Sequence, residues 1–330
     1  MLFMINVAVI GLGNMGKHHA RNYAEMAGVS LVAVCDLNEE LAINTAKKFS
    51  CRHYNNYMEM LEKESIQAVS IVVPTNYHKE VALACIGKGI HILVEKPIAG
   101  TISDAEKIIS SAQEKGVILQ VGHVERFNPA VQKLKEVILQ GKLGEVTSII
   151  ARRVGAVPIQ VRDANVVIDL AVHDIDIINY LYDSYPEKVS GNVGKAMIEK
   201  REDYAEIFMQ YGRKSGFIQV NWITPVKIRN LTITGSKGYA ELNYLTQELI
   251  VYESNYTKEI VDEYGDYVIK FGIPDRTQIG VEQAEPLYLE LRSFITSVQQ
   301  GVIPQVTGEM GLQALRIALE VMGNPREYRI

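Results

Sequence analysis

The chain has 330 residues, longer than one ordinary domain and long enough for two, each with its own core. Hydrophobic residues at 47% and charged residues at 22% exclude a disordered chain, a collagen-like chain and a disulfide-stapled scaffold. The net charge of −5 offers no basic footprint for nucleic acid or an anionic membrane, and no apolar run is long enough to span a bilayer.

Residues 1–10 are apolar, have no basic segment ahead of them and run straight into a glycine-rich loop. They read as a first buried strand over Ile5–Ile10 and not as a signal peptide. Further apolar runs at 31–35, 68–73, 90–94 and 117–121 are nearly continuous, as expected of parallel strands covered on both faces. Amphipathic helices separate them. Asn38 caps one that packs Ala42, Ala46 and Phe49. Ser103 with Glu106 reads as a capping box ahead of the stripe Ala105, Ile108, Ile109 and Ala112, and Gly116 stands where a left-handed residue ends that helix. This alternation predicts a doubly wound parallel α/β sheet over residues 1–123. Cys35, Cys51 and Cys85 are odd in number and form no CxxC pair, so they read as reduced thiols of a cytoplasmic protein.

The pattern changes over residues 124–330. Asn128-Pro129 opens a helix with Val131, Leu134 and Ile138 on one face, ending at Gly141. Strands follow at Val146–Val154, Tyr204–Tyr211, 216–223, 229–234, 239–244 and Glu248–Glu253, joined by short turns such as 212–215 and 235–238. Consecutive strands with tight turns predict a large, mainly antiparallel open sheet in an α+β domain. A helix near 167–181 interrupts it, and helices at Pro286–Gln300 and 308–322 close the chain. One face of the sheet lacks enough helices to cover it, which predicts a homodimer or homotetramer burying that face.

Gly11-Leu12-Gly13-Asn14-Met15-Gly16 is a GxGxxG between a strand and a helix. The first Gly permits the turn, the second lets a pyrophosphate approach the backbone, and the third lets helix and strand pack closely. Asp36 ends the second strand 20 residues after Gly16, placed to accept from ribose hydroxyls. It would repel a 2′-phosphate, and no Arg follows it, which favours NAD over NADP. Lys96, in Glu95-Lys96-Pro97, stands at the carboxyl end of a strand, where open α/β sheets bind ligands, and could stabilise an alkoxide as hydride leaves. Asp169 and His173 are four residues apart and share a helix face, a carboxylate beside an imidazole that can serve as general base; Asp176 falls on the same side. No further His or Cys has matching spacing, so no metal is expected.

With these motifs the chain resembles the glucose–fructose oxidoreductase, inositol dehydrogenase and rhizopine catabolism (Gfo/Idh/MocA) family over nearly its whole length. The matching residues are Gly11–His19, Pro74 with His78 and Ala82, the Glu95-Lys96-Pro97 signature, the Asp169/His173/Asp176 helix, Arg229 with Gly235 and Gly238, and the closing stretch 307–319. Ala171 replaces the usual Gly between Asp and His, and Asn165-Val166-Val167 replaces a Gly-rich run. The stretches 122–129, 152–155 and 168–173 look more like the UDP-N-acetylglucosamine 3-dehydrogenase members. The resemblance implies a Rossmann domain and an NAD-dependent dehydrogenase that oxidises a ring hydroxyl of a sugar or nucleotide sugar. It places Lys96, Asp169 and His173 at the chemistry. Gly11, Gly13, Asn14, Met15, Gly16, Asp36, Pro74, Asn76, His78, Glu95 and Lys96 would hold the cofactor. Arg153 or Arg162 could pair with a diphosphate, with Asp176 also near the substrate. A free-polyol dehydrogenase and a non-catalytic NAD-binding sensor are the alternatives; loss of Lys96 or His173 would favour the sensor, and both are present.

Overall fold

The computed structural model describes residues 4–156, 164–260 and 267–323. In chain order the elements are β1 (Ile5–Ile10), α1 (Gly16–Glu25), β2 (Val29–Cys35), α2 (Glu39–Phe49), β3 (Arg52–Tyr54), α3 (Tyr57–Lys63), β4 (Ala68–Ile71), α4 (His78–Gly87), β5 (His91–Glu95), α5 (Ile102–Lys115) and β6 (Leu119–Gly122). Next come α6 (Pro129–Leu139), β7 (Val146–Val154), a π-helical turn at Val167–Ala171, α7 (Val172–Tyr182), β8 (Lys188–Gly194), β9 (Tyr204–Tyr211), β10 (Lys214–Asn221), β11 (Ile228–Gly235), β12 (Gly238–Asn243) and β13 (Glu248–Glu253). The chain continues through β14 (Tyr256–Ile260), β15 (Tyr267–Phe271), β16 (Asp275–Ile279), α8 (Pro286–Gln300) and α9 (Gly308–Val321).

These elements form two compact units. The first takes residues up to Phe127, the described part of the stretch ending at Asp176, and the described residues from Glu285 on. Its sheet has the order β3-β2-β1-β4-β5-β6, and every pairing is parallel. The order reverses between β1 and β4, which opens a crevice at the carboxyl ends of those strands. The central strands are buried nearly throughout, as their unbroken apolar runs require. Asn38 caps α2 by accepting from Leu41 N–H, and Gly116 ends α5 at φ +64°. The cap of α5 differs from the Ser103–Glu106 box: Thr101 accepts from Asp104 N–H, so the helix starts earlier, and Asp104 supplies the acid in its first turn.

The helices α8 and α9 cluster with this unit and not with the sheet that precedes them, unlike a single cut after residue 123. The reason is hydrophobic coverage. Leu287, Leu291, Phe294 and Ile295 of α8 join the core cluster of Val7, Val9, Tyr23 and Leu93. On α9, Gly308 and Gly311 let the helix press onto Ile109, Leu119 and Val121, where an added Cβ would stand 2.7–2.9 Å from those side chains.

Glu290 of α8 is wholly buried, and neither of its oxygens has a hydrogen-bond partner among the described residues. Burial first, then the charges of Glu95 and Asp176, push its carboxyl well above the ordinary 4.5. Above pH 4.5 the unfolded chain releases this proton while the folded chain keeps it. Stability therefore falls as pH rises, by about 1.4 kcal/mol per pH unit until the folded group ionises. Glu290→Gln, neutral and of the same shape, should raise the melting temperature at pH ~7.5 and give no gain at pH ~4. An equal shift at both values would refute the assignment.

The second unit takes the described part of 128–157 and Ile177–Ala284. Its sheet has the order β16-β13-β12-β11-β7-β10-β9-β8. All pairings are antiparallel except β7 with β10, whose connection runs through α7 and so can return the chain in the same direction. Asn128 caps α6, which buries Ala130, Val131, Leu134 and Val137 and packs against β12 and β13. Ile178 of α7 sits over Gly216, and Tyr211 Oη donates to Asn179 Oδ1 at 2.7 Å. The opposite face carries exposed Ile150 and Phe217, with Phe208 and Phe217 rings 5.0 Å apart and Tyr239 and Tyr252 rings 6.0 Å apart.

Candidate active site

All residues of the site described here lie in the first unit. A cavity of about 840 Å³ opens at the carboxyl ends of β1, β4 and β5. It is lined by Gly11, Gly13, Asn14, Met15, Asp36, Pro74, His78, Glu95, Lys96, Asp169 and His173. Of the residues expected at the cofactor, Gly16 and Asn76 do not line it. Gly16 lies beneath the loop, where a Cβ would meet Gly11 O at 1.9 Å, and Asn76 is exposed in a short 3-10 turn.

The glycine loop shows three different requirements. Gly11 has φ +90° and its Cβ would strike the Val72 backbone at 2.5 Å. Gly16 permits the close packing of α1 on that turn. At Gly13 an added Cβ would meet nothing within 4 Å, so this glycine leaves space on the cavity side. The first turn of α1 has no acidic residue and its N-cap Met15 makes no side-chain bond, which leaves the helix end ready for a phosphate. Asp36 accepts from Leu12 N–H at 2.7 Å and Asn38 N–H at 2.8 Å, so the carboxylate at the end of β2 is fixed against the loop it serves. A pyrophosphate at Gly13 and a ribose at Asp36 fit this arrangement.

Lys96 Nζ donates to the Asp169 carbonyl at 2.9 Å and lies 3.4 Å from Asp169 Oδ1. Asp169 belongs to the π-helical turn, whose entry Asn165 caps by accepting from Val167 and Ile168 N–H. The wider turn keeps Asp169 and His173 lining one cavity, and such turns concentrate at functional sites. His78 faces the Pro97 carbonyl through Nδ1 at 3.0 Å and the Val73 carbonyl through Nε2 at 2.9 Å. Burial lowers its pKa, so a neutral ring donates to one of the two carbonyls and ties the end of β4 to the Lys96 loop.

The residues expected at the substrate separate. Asp176 is buried and held by Arg126 through two contacts of 2.7 Å, so it serves a buried ion pair and does not line the cavity. Arg153 belongs to the second unit, 5% exposed, with its guanidinium 4.8 Å from the Tyr244 ring centroid. It alternates with exposed Arg152 as strand geometry requires. Arg162 lies outside the described residues. Asn55, Tyr57, Tyr77, Glu80 and Glu125 also line the cavity. Asn55 and Tyr57 were hidden because they follow β3, an edge strand with no apolar run to announce it.

Residues 5–123 match the model of an oxidoreductase family with an NAD-binding Rossmann fold, and residues 131–241 match the Gfo/Idh/MocA C-terminal domain. The UDP-N-acetylglucosamine 3-dehydrogenase of Acidithiobacillus ferrooxidans is 28% identical over 320 residues, covering 96% of each chain. The myo-inositol 2-dehydrogenase of Thermotoga maritima is 26% identical, covering 98% of this chain and 97% of its own. The solved structure of the Acidithiobacillus enzyme superposes with a TM-score of 0.84 at 26% identity, covering 98% of each chain. Levoglucosan dehydrogenase, in complex with NADH and levoglucosan, shares the fold at 21% identity, TM-score 0.82 and 97% coverage of both chains. With the glycine loop, the Asp36 carboxylate beside it and both family domains in place, the chain belongs to the Gfo/Idh/MocA oxidoreductases and is an NAD-binding dehydrogenase acting on hydroxyl groups.

Proposed function

We propose that this enzyme oxidises a ring secondary hydroxyl of a nucleotide sugar to a ketone, in the manner of a UDP-N-acetylglucosamine 3-dehydrogenase. The observation that carries the reading is the convergence of Lys96, Asp169 and His173 on the cavity that the glycine loop opens. Bound NAD supplies the hydride acceptor. His173 takes the hydroxyl proton as general base. Two of the three N–H groups of Lys96 are directed at Asp169, which leaves one for the reacting oxygen and stabilises its developing charge. Asp169 thereby orients the ammonium, and its place near the start of the helix that carries His173 sets the two groups on one side of the substrate. The three free thiols fit a cytoplasmic enzyme, and the exposed aromatic face of the second sheet fits assembly into dimers or tetramers.

A free polyol is the second reading. The packing of Arg153 on Tyr244 favours it, because a guanidinium committed to a ring is less available to a diphosphate. NADH formation across UDP-N-acetylglucosamine, other UDP-sugars, myo-inositol and glucose separates the two. Turnover of a UDP-sugar is expected. Robust turnover of a free polyol, with no UDP-sugar bound by calorimetry, would replace the nucleotide-sugar reading.

Cofactor choice gives a separate expectation. A 2′-phosphate beside Asp36 sets like charges together, so NAD should be preferred over NADP by roughly a hundredfold or more in kcat/KM. Asp36→Ala with Leu37→Arg should shift the preference toward NADP, since Leu37 is 90% exposed and lines the cavity. Equal use of the two cofactors by the parent enzyme would contradict this role of Asp36.

A further inference from the structure

His19 lies on α1, three residues past the last glycine of the loop, and is wholly buried. Its Nε2 is 3.1 Å from Glu95 Oε1. The other oxygen, Glu95 Oε2, accepts from Lys96 N–H at 3.1 Å. Gly122, at the end of β6, makes room for this carboxylate, since a Cβ there would stand 3.1 Å from its atoms. Three elements therefore enclose one buried acid: α1, the end of β5 and the end of β6. Glu95 and Lys96 are consecutive, and their side chains reach different partners: Glu95 meets His19, and Lys96 meets Asp169.

We propose that His19 is a positioning residue: through Glu95 it fixes the backbone from which Lys96 reaches the reacting oxygen, making the phosphate-binding helix and the catalytic ammonium one mechanical piece. The inference rests on the reading of Lys96 as the group at that oxygen. Nε2 faces a carboxylate, which can only accept, so it carries a proton and donates; Nδ1 has no partner among the described residues. Burial alone would push the Glu95 carboxyl up; the bond and charge of His19, then the charge of Lys96, hold it below its ordinary value. The other groups that feel its charge are His78 on α4, His123 after β6 and Glu290 on α8, with Arg126 and Asp176 beside His123. Of all these, His19 alone hydrogen-bonds the carboxylate through a side chain. Without it, Glu95 takes up a proton at higher pH and Lys96 N–H loses its charged acceptor.

The test compares His19→Leu, which cannot donate, with His19→Gln, whose amide can. With NAD and the best substrate of the sugar panel, His19→Leu should lower kcat about tenfold to a hundredfold, the scale of a slightly misplaced catalytic group, while NADH binding by fluorescence stays within about threefold. The acid limb of its kcat profile should move to higher pH, and His19→Gln should restore both. A merely structural role predicts lower melting temperatures in both variants and an unmoved limb. One measurement needs no substrate. The Glu95 carboxyl carbon, followed by 13C NMR, should titrate at higher pH in His19→Leu than in the parent, and Glu95→Gln should abolish that titration. A Glu95 resonance unmoved by His19→Leu, a Gln variant no better than Leu, or an unchanged acid limb in Glu95→Gln overturns the proposal. Full activity in Lys96→Met would instead overturn the reading of Lys96, whatever His19 does.

Discussion

Lys96→Met and His173→Ala will each slow turnover by about two to four orders of magnitude, the range for oxyanion and acid–base groups, while NAD binding persists. The size follows from where each group acts. In the alcohol the oxygen is neutral and gains little from an ammonium; as hydride leaves, negative charge builds on it, and the N–H of the mostly buried Lys96 becomes worth far more than it would in water. A methionine side chain in place of Lys96 would fill the same space with no donor. It would also leave the Asp169 carbonyl and carboxylate without the ammonium that now binds both, so part of the loss reflects a loosened π-helical turn. His173→Ala removes the acceptor of the hydroxyl proton. Stopped-flow NADH formation with calorimetric NAD binding checks both variants. Near-parental turnover in either would remove that residue from the mechanism.

Gly13→Val will fold with a melting temperature close to the parent's and lose NAD affinity by about a hundredfold or more. The two effects separate because Gly13 differs from its neighbours. A side chain at Gly11 or Gly16 would collide with protein backbone at 2.5 or 1.9 Å, so those substitutions damage the fold itself. At Gly13 the added atoms enter open space, and the only thing they displace is the ligand's phosphate. Backbone N–H groups reach a pyrophosphate at hydrogen-bond distance only if no β-carbon intervenes, and charge-assisted bonds of this kind contribute about 1.5–3 kcal/mol each. Two such bonds lost give the predicted scale. Thermal melts without ligand, beside NAD titration, decide the matter: a variant that unfolds would show that the loop conformation, and not ligand clearance, requires this glycine.

Much of the first unit was legible because local pattern and tertiary role coincide there. β1, β4 and β5 are buried on both faces, so their sequence is apolar without interruption, and the glycine loop is a backbone requirement written directly in residue type. β3 and β8 lay beyond reach for the opposite reason: Arg52-His53-Tyr54 and the mostly exposed Lys188–Gly194 gain their strand geometry from a neighbouring strand and carry no burial pattern. The same holds for β14, β15 and β16, with exposed side chains throughout most of their described length. Asp176 looked like a third polar group on the Asp169/His173 face, yet its partner Arg126 is 50 residues away and no spacing rule pairs them. His19 and Glu95, 76 residues apart, meet only because α1 lies beside the end of β5. Local motifs thus marked the glycine loop and residues that line the cavity, while the ion pairs around them are products of the fold.

The return of α8 and α9 to the first unit has a consequence for synthesis. The ribosome delivers the six parallel strands first, but the side chains that close their core, Leu287, Leu291, Phe294 and Ile295, emerge about 165 residues after the last of those strands. Until then the nascent nucleotide-binding half exposes apolar surface and cannot reach its final stability, although its glycine loop is already complete. The intervening sheet, made largely of neighbouring hairpins, can form during that wait, so the polypeptide finishes its middle before its beginning. A nonsense codon between the end of β6 and residue 285 therefore releases a chain whose first half is adhesive, a substrate for chaperones and proteases more than a shortened enzyme. Moving 285–323 ahead of residue 5 by circular permutation would supply the missing cover first and should lessen dependence on that machinery.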